Sequence, residues 1–164
     1  MCFGDVLTAM VTPFHEDGSV KDWYTIADGM EHPNGVRVYK NYMYVTQSYL
    51  TKVEGPDGKL VSCVYRFPLD AKDLVIQNTL EDEYIFTTFV THNPRCQYGA
   101  DGIEIDSNGV MYVGNFGDGE VWKITLDENG EFVIPKAHAI SYGGGQESNL
   151  KKCINNNNDG WNNH

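Results

Sequence analysis

Two stretches of this chain repeat each other. Asn34-Gly35-Val36-Arg37-Val38, followed by Tyr42-Met43-Tyr44-Val45-Thr46, matches Asp101-Gly102-Ile103-Glu104-Ile105, followed by Val110-Met111-Tyr112-Val113-Gly114. The copies lie 67 residues apart, counted at the polar residue before the glycine. Each copy is a polar residue, a glycine, an alternating strand, a tight turn and a second strand. The turns are Tyr39-Lys40-Asn41 and Asp106-Ser107-Asn108-Gly109, and Asn-Gly suits a hairpin because both residues tolerate positive φ. A third strand follows in each copy, at 60–67 and at 120–126, and 84–91 supplies a fourth strand for the first. Insertions around 52–59 and 69–82 lengthen that first unit. Alternation requires a covered face, so Val36, Val38, Tyr44, Val45, Ile103, Ile105, Tyr112 and Val113 are predicted to be buried.

Repeated four-stranded antiparallel units are the signature of a β-propeller. The expected fold class is therefore all-β, a partial β-propeller of about two blades, with a plain β-sandwich left open by periodicity alone. Two units cannot close a ring, so at least one long sheet edge should stay open. The chain divides into 1–28, 29–148 and 149–164. In the first part, a near-continuous apolar run from Val6 to Val11, stopped by Pro13, suits a strand outside the repeat, loosely attached over 1–20. The last part holds 7 of the chain's 14 asparagines and is expected to be a disordered tail.

Composition narrows the function. The 164 residues carry a formal charge of −11, with no Lys/Arg cluster, which argues against nucleic acid and is compatible with cation binding. Four cysteines at 2, 63, 96 and 153 form no CxxC pair, hence no zinc site of that type and no dense disulfide framework. Cys63, inside a strand, reads as a small apolar residue. No signal sequence or apolar run of membrane-spanning length is evident, and the expectation is a cytoplasmic protein without a membrane partner.

The middle region, about 29–140, resembles the gluconolactonase/regucalcin (senescence marker protein) family of six-bladed β-propellers. The resemblance rests on Gly29-Met30-Glu31-His32-Pro33-Asn34-Gly35-Val36 with Tyr44-Val45-Thr46, and on Ala100-Asp101-Gly102-Ile103-Glu104-Ile105-Asp106 with Met111-Tyr112-Val113-Gly114-Asn115. It implies a fragment of a metal-dependent hydrolase of sugar lactones or related esters. A divalent cation is implied at the channel mouth, calcium first, with zinc or magnesium as alternatives. By motif match, Asn34 is an amide ligand and Asp101 is a ligand that doubles as the catalytic acid/base. The family's glutamate on an earlier blade and its further asparagine have no match before residue 29. Separately, Phe3-Gly4-Asp5-Val6-Leu7-Thr8-Ala9-Met10-Val11-Thr12-Pro13-Phe14 is similar to the start of the dihydrodipicolinate synthase family of (β/α)8 Schiff-base lyases. That likeness supplies one strand and no active site, since a barrel needs about 250 residues.

A plainer reading stands beside each of these. Asn or Asp before Gly is ordinary turn chemistry, the side chain bonding a nearby backbone amide. Ligands of one ion must instead converge from both blades. His32 reads as a surface turn residue, and His92 with Asn93 as loop-shaping. Asn115, Phe116 and Asp118 read as a glycine-rich turn, Tyr112 and Trp122 as core. Gly143-Gly144-Gly145 lacks the Lys-Ser/Thr of a phosphate loop. A non-catalytic propeller binding module is the alternative to the lactonase, and a Schiff-base lyase fragment is the second alternative.

Overall fold

A computed structural model describes residues 7–93, 97–131 and 138–142. The described chain is all-β and has no α-helix. Its strands are β1 (Leu7–Val11), β2 (Tyr24–Met30), β3 (Pro33–Tyr39), β4 (Tyr42–Gln47), β5 (Leu60–Pro68), β6 (Leu74–Val75), β7 (Ile85–Thr91), β8 (Ala100–Ile105), β9 (Val110–Asn115), β10 (Glu120–Thr125) and β11 (His138–Tyr142). They form three sheets: sheet 1 in the order β1-β2-β6, sheet 2 in the order β3-β4-β5-β7, and sheet 3 in the order β8-β9-β10-β11. Sheets 2 and 3 are the two repeats. The third and fourth strands expected at 60–67 and 84–91 are β5 and β7, and the strand expected at 120–126 is β10. No helix of the described residues is long and apolar enough to cross a membrane.

Sheet 2 is covered on both faces. Successive residues of a strand point to opposite sides, and β4 and β5 carry apolar residues at nearly every position. Met43, Val45, Cys63, Tyr65 and Phe67 pack against Ile26, Ala27 and Met30 of sheet 1. Tyr44 and Val64, with Phe89 of β7, pack against Ala100, Ile103, Met111, Val113 and Ile124 of sheet 3. Three sheets stacked in this way are propeller-like rather than a two-sheet sandwich. The stack is narrowest at β3 and β8. A Cβ added to Gly35 would lie 2.9 Å from Ile103 Cγ2 and 3.0 Å from the Asp101 carbonyl oxygen. A side chain at 35 would force the two strands apart, so glycine is required there.

The structure corrects three expectations. Val36 and Val38 are 47% and 55% exposed, not buried, because sheet 1 covers β4 and β5 but not β3. Ile105 is only half-buried. Residues 7–11 are not loosely attached: β1 pairs antiparallel with β2 over Leu7 to Val11, opposite Met30 to Tyr24, and Ala9 lies in the core. The insertion at 69–82 also has a structural role, since its β6 pairs in parallel with β2 and so joins sheet 1. The disorder expected for 149–164 lies outside the described residues. Tyr44, Val45, Ile103, Tyr112 and Val113 are buried as expected. So is Cys63, whose thiol pKa is pushed up by that burial.

Sheet 3 also reaches sheet 2 through its Asp127–Glu131 turn. The Tyr44 hydroxyl donates to the Gly130 carbonyl at 2.7 Å. Gly130 has φ +80°, and a Cβ there would sit 2.7 Å from the Tyr44 hydroxyl oxygen, so this position also requires glycine. Arg66 lies over the rings of Tyr42 and Phe86, at 4.7 and 5.3 Å, and pairs with Glu131 at 2.8 Å. Burial is the main cause that pushes the Tyr44 pKa from 10.0 up to about 12. The folded state therefore keeps a proton that the unfolded chain releases above pH 10. The corresponding stability is complete below pH 10 and is lost as pH rises toward 12. We expect urea midpoints to fall over this window, and to fall less steeply in Tyr44→Phe. An identical slope in both proteins would refute the assignment.

Candidate functional site

β3 and β8 open in the same irregular way. Pro33 faces Gln47 and Val36 faces Val45, so β3 has one residue more than β4 across this step. The same step occurs between Ala100, facing Asn115, and Ile103, facing Val113. Each extra residue is a β-bulge at the polar-glycine pair, a device that re-aims a side chain at a strand end. The bulges lie where the two strands approach most closely, and there the Asn34 amide Nδ2 donates to Asp101 Oδ1. The two side chains thus meet across the sheets.

Below them a single hydroxyl fixes both bulges. Thr46 Oγ1 accepts from the Gly35 amide at 2.8 Å and donates to the Asp101 carbonyl oxygen. Thr46 is fully buried. Three residues further along each strand, Arg37 and Glu104 form a two-pronged ion pair. Nε reaches Oε1 at 2.8 Å and Nη2 reaches Oε2 at 2.6 Å. The Glu104 carboxylate raises the Arg37 pKa. With both partners partly exposed the pair contributes about 0.2–1 kcal/mol, and its forked geometry fixes the strand register as well. Thr46, Arg37 and Glu104 were not among the sequence-derived candidates. A signal for the ion pair was available, because Arg37 and Glu104 stand at the same 67-residue spacing as Asn34 and Asp101.

The end of each second strand carries a buried amide tied to the preceding sheet. Gln47 Oε1 accepts from the Glu31 amide at 3.1 Å and Nε2 donates to Asn78 at 2.9 Å. Asn78 in turn donates to the Gly29 carbonyl at 2.7 Å. In sheet 3 the counterpart is Asn115, which accepts from Thr91 Oγ1 at 3.2 Å and donates to Asp118 at 3.3 Å. Asn115 is therefore a buried link and not merely a turn residue. Asp118 accepts from the backbone amides of His92 and Asn93, which accords with their loop-shaping reading. His32 is stacked on Tyr49, ring centroids 3.9 Å apart, next to the bond from the Ser48 amide to the His32 carbonyl. Tyr112 is core, while Trp122 is half-buried against Phe89 and donates its indole N–H to Glu120 at 2.8 Å.

Asn34 and Asp101 have the right donor chemistry for a hard cation, which takes about six to eight oxygen ligands. Among the described residues, no group of three or more His, Cys, Asp or Glu comes together to hold a metal ion. The pair alone does not complete a calcium shell. What it provides on its own is an oriented carboxylate, with the Asn34 amide fixing one oxygen. Comparison with protein-family models finds no match to this chain, and comparison with curated proteins finds none either.

The role of Thr46 is testable. Thr46→Val keeps the shape but leaves the Gly35 amide and the Asp101 carbonyl without their shared partner, at a cost of about 1–3 kcal/mol. We expect a lower urea midpoint and faster amide exchange at Gly35, with Thr46→Ser recovering most of both. Unchanged Gly35 exchange in Thr46→Val would show that the hydroxyl does not hold the bulge.

Proposed function

We propose that these sheets belong to the channel wall of a lactone hydrolase, acting on a sugar lactone or related ester. The observation that supports this reading is the contact between Asn34 and Asp101, equivalent residues of adjacent sheets that meet at the narrow end of the stack. In this reading Asp101 is the catalytic residue. Its carboxylate accepts the proton of the attacking water and passes it to the leaving alkoxide as the ring opens. Asn34 orients that carboxylate through its amide. A divalent cation, calcium first, would be held by Asn34 and Asp101 together with ligands beyond the described residues.

A second reading, a non-catalytic propeller module, draws on the same contacts. The Asn34–Asp101 and Arg37–Glu104 pairs also serve as ties between sheets, and ties need no substrate. The two readings differ in what Asp101→Asn does. In the hydrolase, the variant loses at least about a hundredfold in the rate of lactone ring opening, the usual contribution of a positioned acid/base, while thermal stability stays within a few degrees of the parent. Undiminished hydrolysis by Asp101→Asn would remove the catalytic role. Absence of any hydrolysis by the parent, with or without added calcium, would favour the binding module.

A further inference from the structure

We propose that Asn34-Gly35 is a latent self-modification site, at which deamidation is held back by Thr46 and Asp101 and is released when the contact between β3 and β8 opens. The proposal does not depend on the hydrolase reading. Asparagine followed by glycine carries its own chemistry, because a glycine has no side chain to hinder attack by its backbone nitrogen. That nitrogen attacks Cγ of the asparagine, the new N–Cγ bond forms, and the Cγ–Nδ2 bond breaks. The amide nitrogen leaves as ammonia, taking up the proton that the backbone nitrogen gives away. Water then opens the cyclic imide to aspartate or isoaspartate. The sum is one water taken up and one ammonia lost, with no oxidant or reductant.

The chain has three Asn-Gly pairs, at 34–35, 108–109 and 129–130, and the structure treats the first differently. In the other two the glycine amide bonds inside its own turn, Gly109 to the Asp106 carbonyl at 3.0 Å and Gly130 to the Asp127 carbonyl at 3.1 Å. Such bonds open by local fraying. At Asn34 the nucleophile and the leaving group are both engaged. The Gly35 amide donates to Thr46 Oγ1 at 2.8 Å, and the Asn34 Nδ2 group donates to Asp101 Oδ1. Thr46 is fully buried and donates in turn to the Asp101 carbonyl in sheet 3. Closing the imide requires Asn34 to swing from Asp101 back toward Gly35, and the Gly35 nitrogen to leave Thr46. Both movements undo the junction of sheets 2 and 3. Asn34 itself is exposed, so water reaches the imide once it forms.

The products do not fit the closed junction. Aspartate at 34 loses the amide donor and sets a second carboxylate against Asp101, and like charges at one site repel. Isoaspartate is worse, since it routes the main chain through the former side chain and lengthens the backbone next to Gly35. There is no room for this, because even a Cβ at Gly35 would lie 2.9 Å from the Ile103 backbone nitrogen. Ammonia escapes to solvent, so reclosing the sheets does not reverse the change. A transient opening of the junction is thereby written into the chain as a lasting charge.

The test ages the full chain in mildly alkaline buffer and follows the mass gain of amide to carboxylate. Trypsin places the three pairs in separate peptides, 22–37, 96–123 and 124–136, so each is read alone. In urea, Asn34 and Asn108 should convert at similar rates, because both precede glycine. In the folded parent, Asn34 should be at least about tenfold slower than Asn108, since its reaction waits on opening of the junction. Thr46→Val should speed Asn34 by at least about tenfold, the effect of losing a buried hydrogen bond, and leave Asn108 unchanged. Thr46→Ser should restore the parent rate. Asn34→Asp, which stands for the aspartate product, should show a lower urea midpoint than the parent. Equal folded and unfolded rates at Asn34 would overturn the proposal, as would a folded Thr46→Val protein with no gain at Asn34. An Asn34→Asp protein as stable as the parent would overturn its consequence for the junction. If Thr46→Val speeds Asn108 as well, that variant has unfolded, and the ratio of folded to unfolded rates in the parent decides.

Discussion

The close approach of β3 to β8 is the constraint on which the rest of the arrangement depends. Gly35 lets two backbones come within a distance that any other residue would forbid. That approach brings the bulges of β3 and β8 together, so that Asn34 meets Asp101. Elsewhere the Asp127–Glu131 turn ties sheet 3 to sheet 2 by placing Glu131 against Arg66 and the Gly130 carbonyl against Tyr44. The two contact regions are thus held by different chemistry. Bulges, a buried hydroxyl and paired polar side chains hold the first; rings, a guanidinium and a glycine turn hold the second.

Polar groups inside the stack are placed where they link sheets. Gln47, Thr46 and Asn115 are all buried and each bonds a group outside its own strand pair, and the buried loop residue Asn78 bridges Gln47 and the Gly29 carbonyl. A buried amide without partners is costly, so these side chains favour one relative placement of the sheets over all others. The apolar residues make the sheets adhere. The amides and the threonine decide where.

Much of this was legible in the sequence. The repeat located sheets 2 and 3 and their order, because alternation and turn chemistry are local properties. The same repeat singled out Asn34 and Asp101, which do meet. Burial was less legible, because it depends on what lies across a face. Val36 and Ile103 look alike in their own strands and differ only in the sheet that precedes each. β6 was hidden for a related reason. A two-residue strand has no periodicity, and its parallel pairing with β2 is a tertiary fact. Thr46 carried no sign of its role, since a threonine in a strand is ordinary, and its two partners come from different sheets.

The contacts at a spacing of 67 residues also constrain how such a chain can change over generations. A tandem duplication begins with identical copies. Here identity would set like against like: two aspartates at the bulge, and two arginines or two glutamates three residues further on. Instead each copy carries a different half of each pair, Asn34 with Asp101 and Arg37 with Glu104. The copies differ at these positions and are alike at the glycine and the apolar alternation between them. A change at 34, 37, 101 or 104 in one copy therefore alters a contact that the other copy shares.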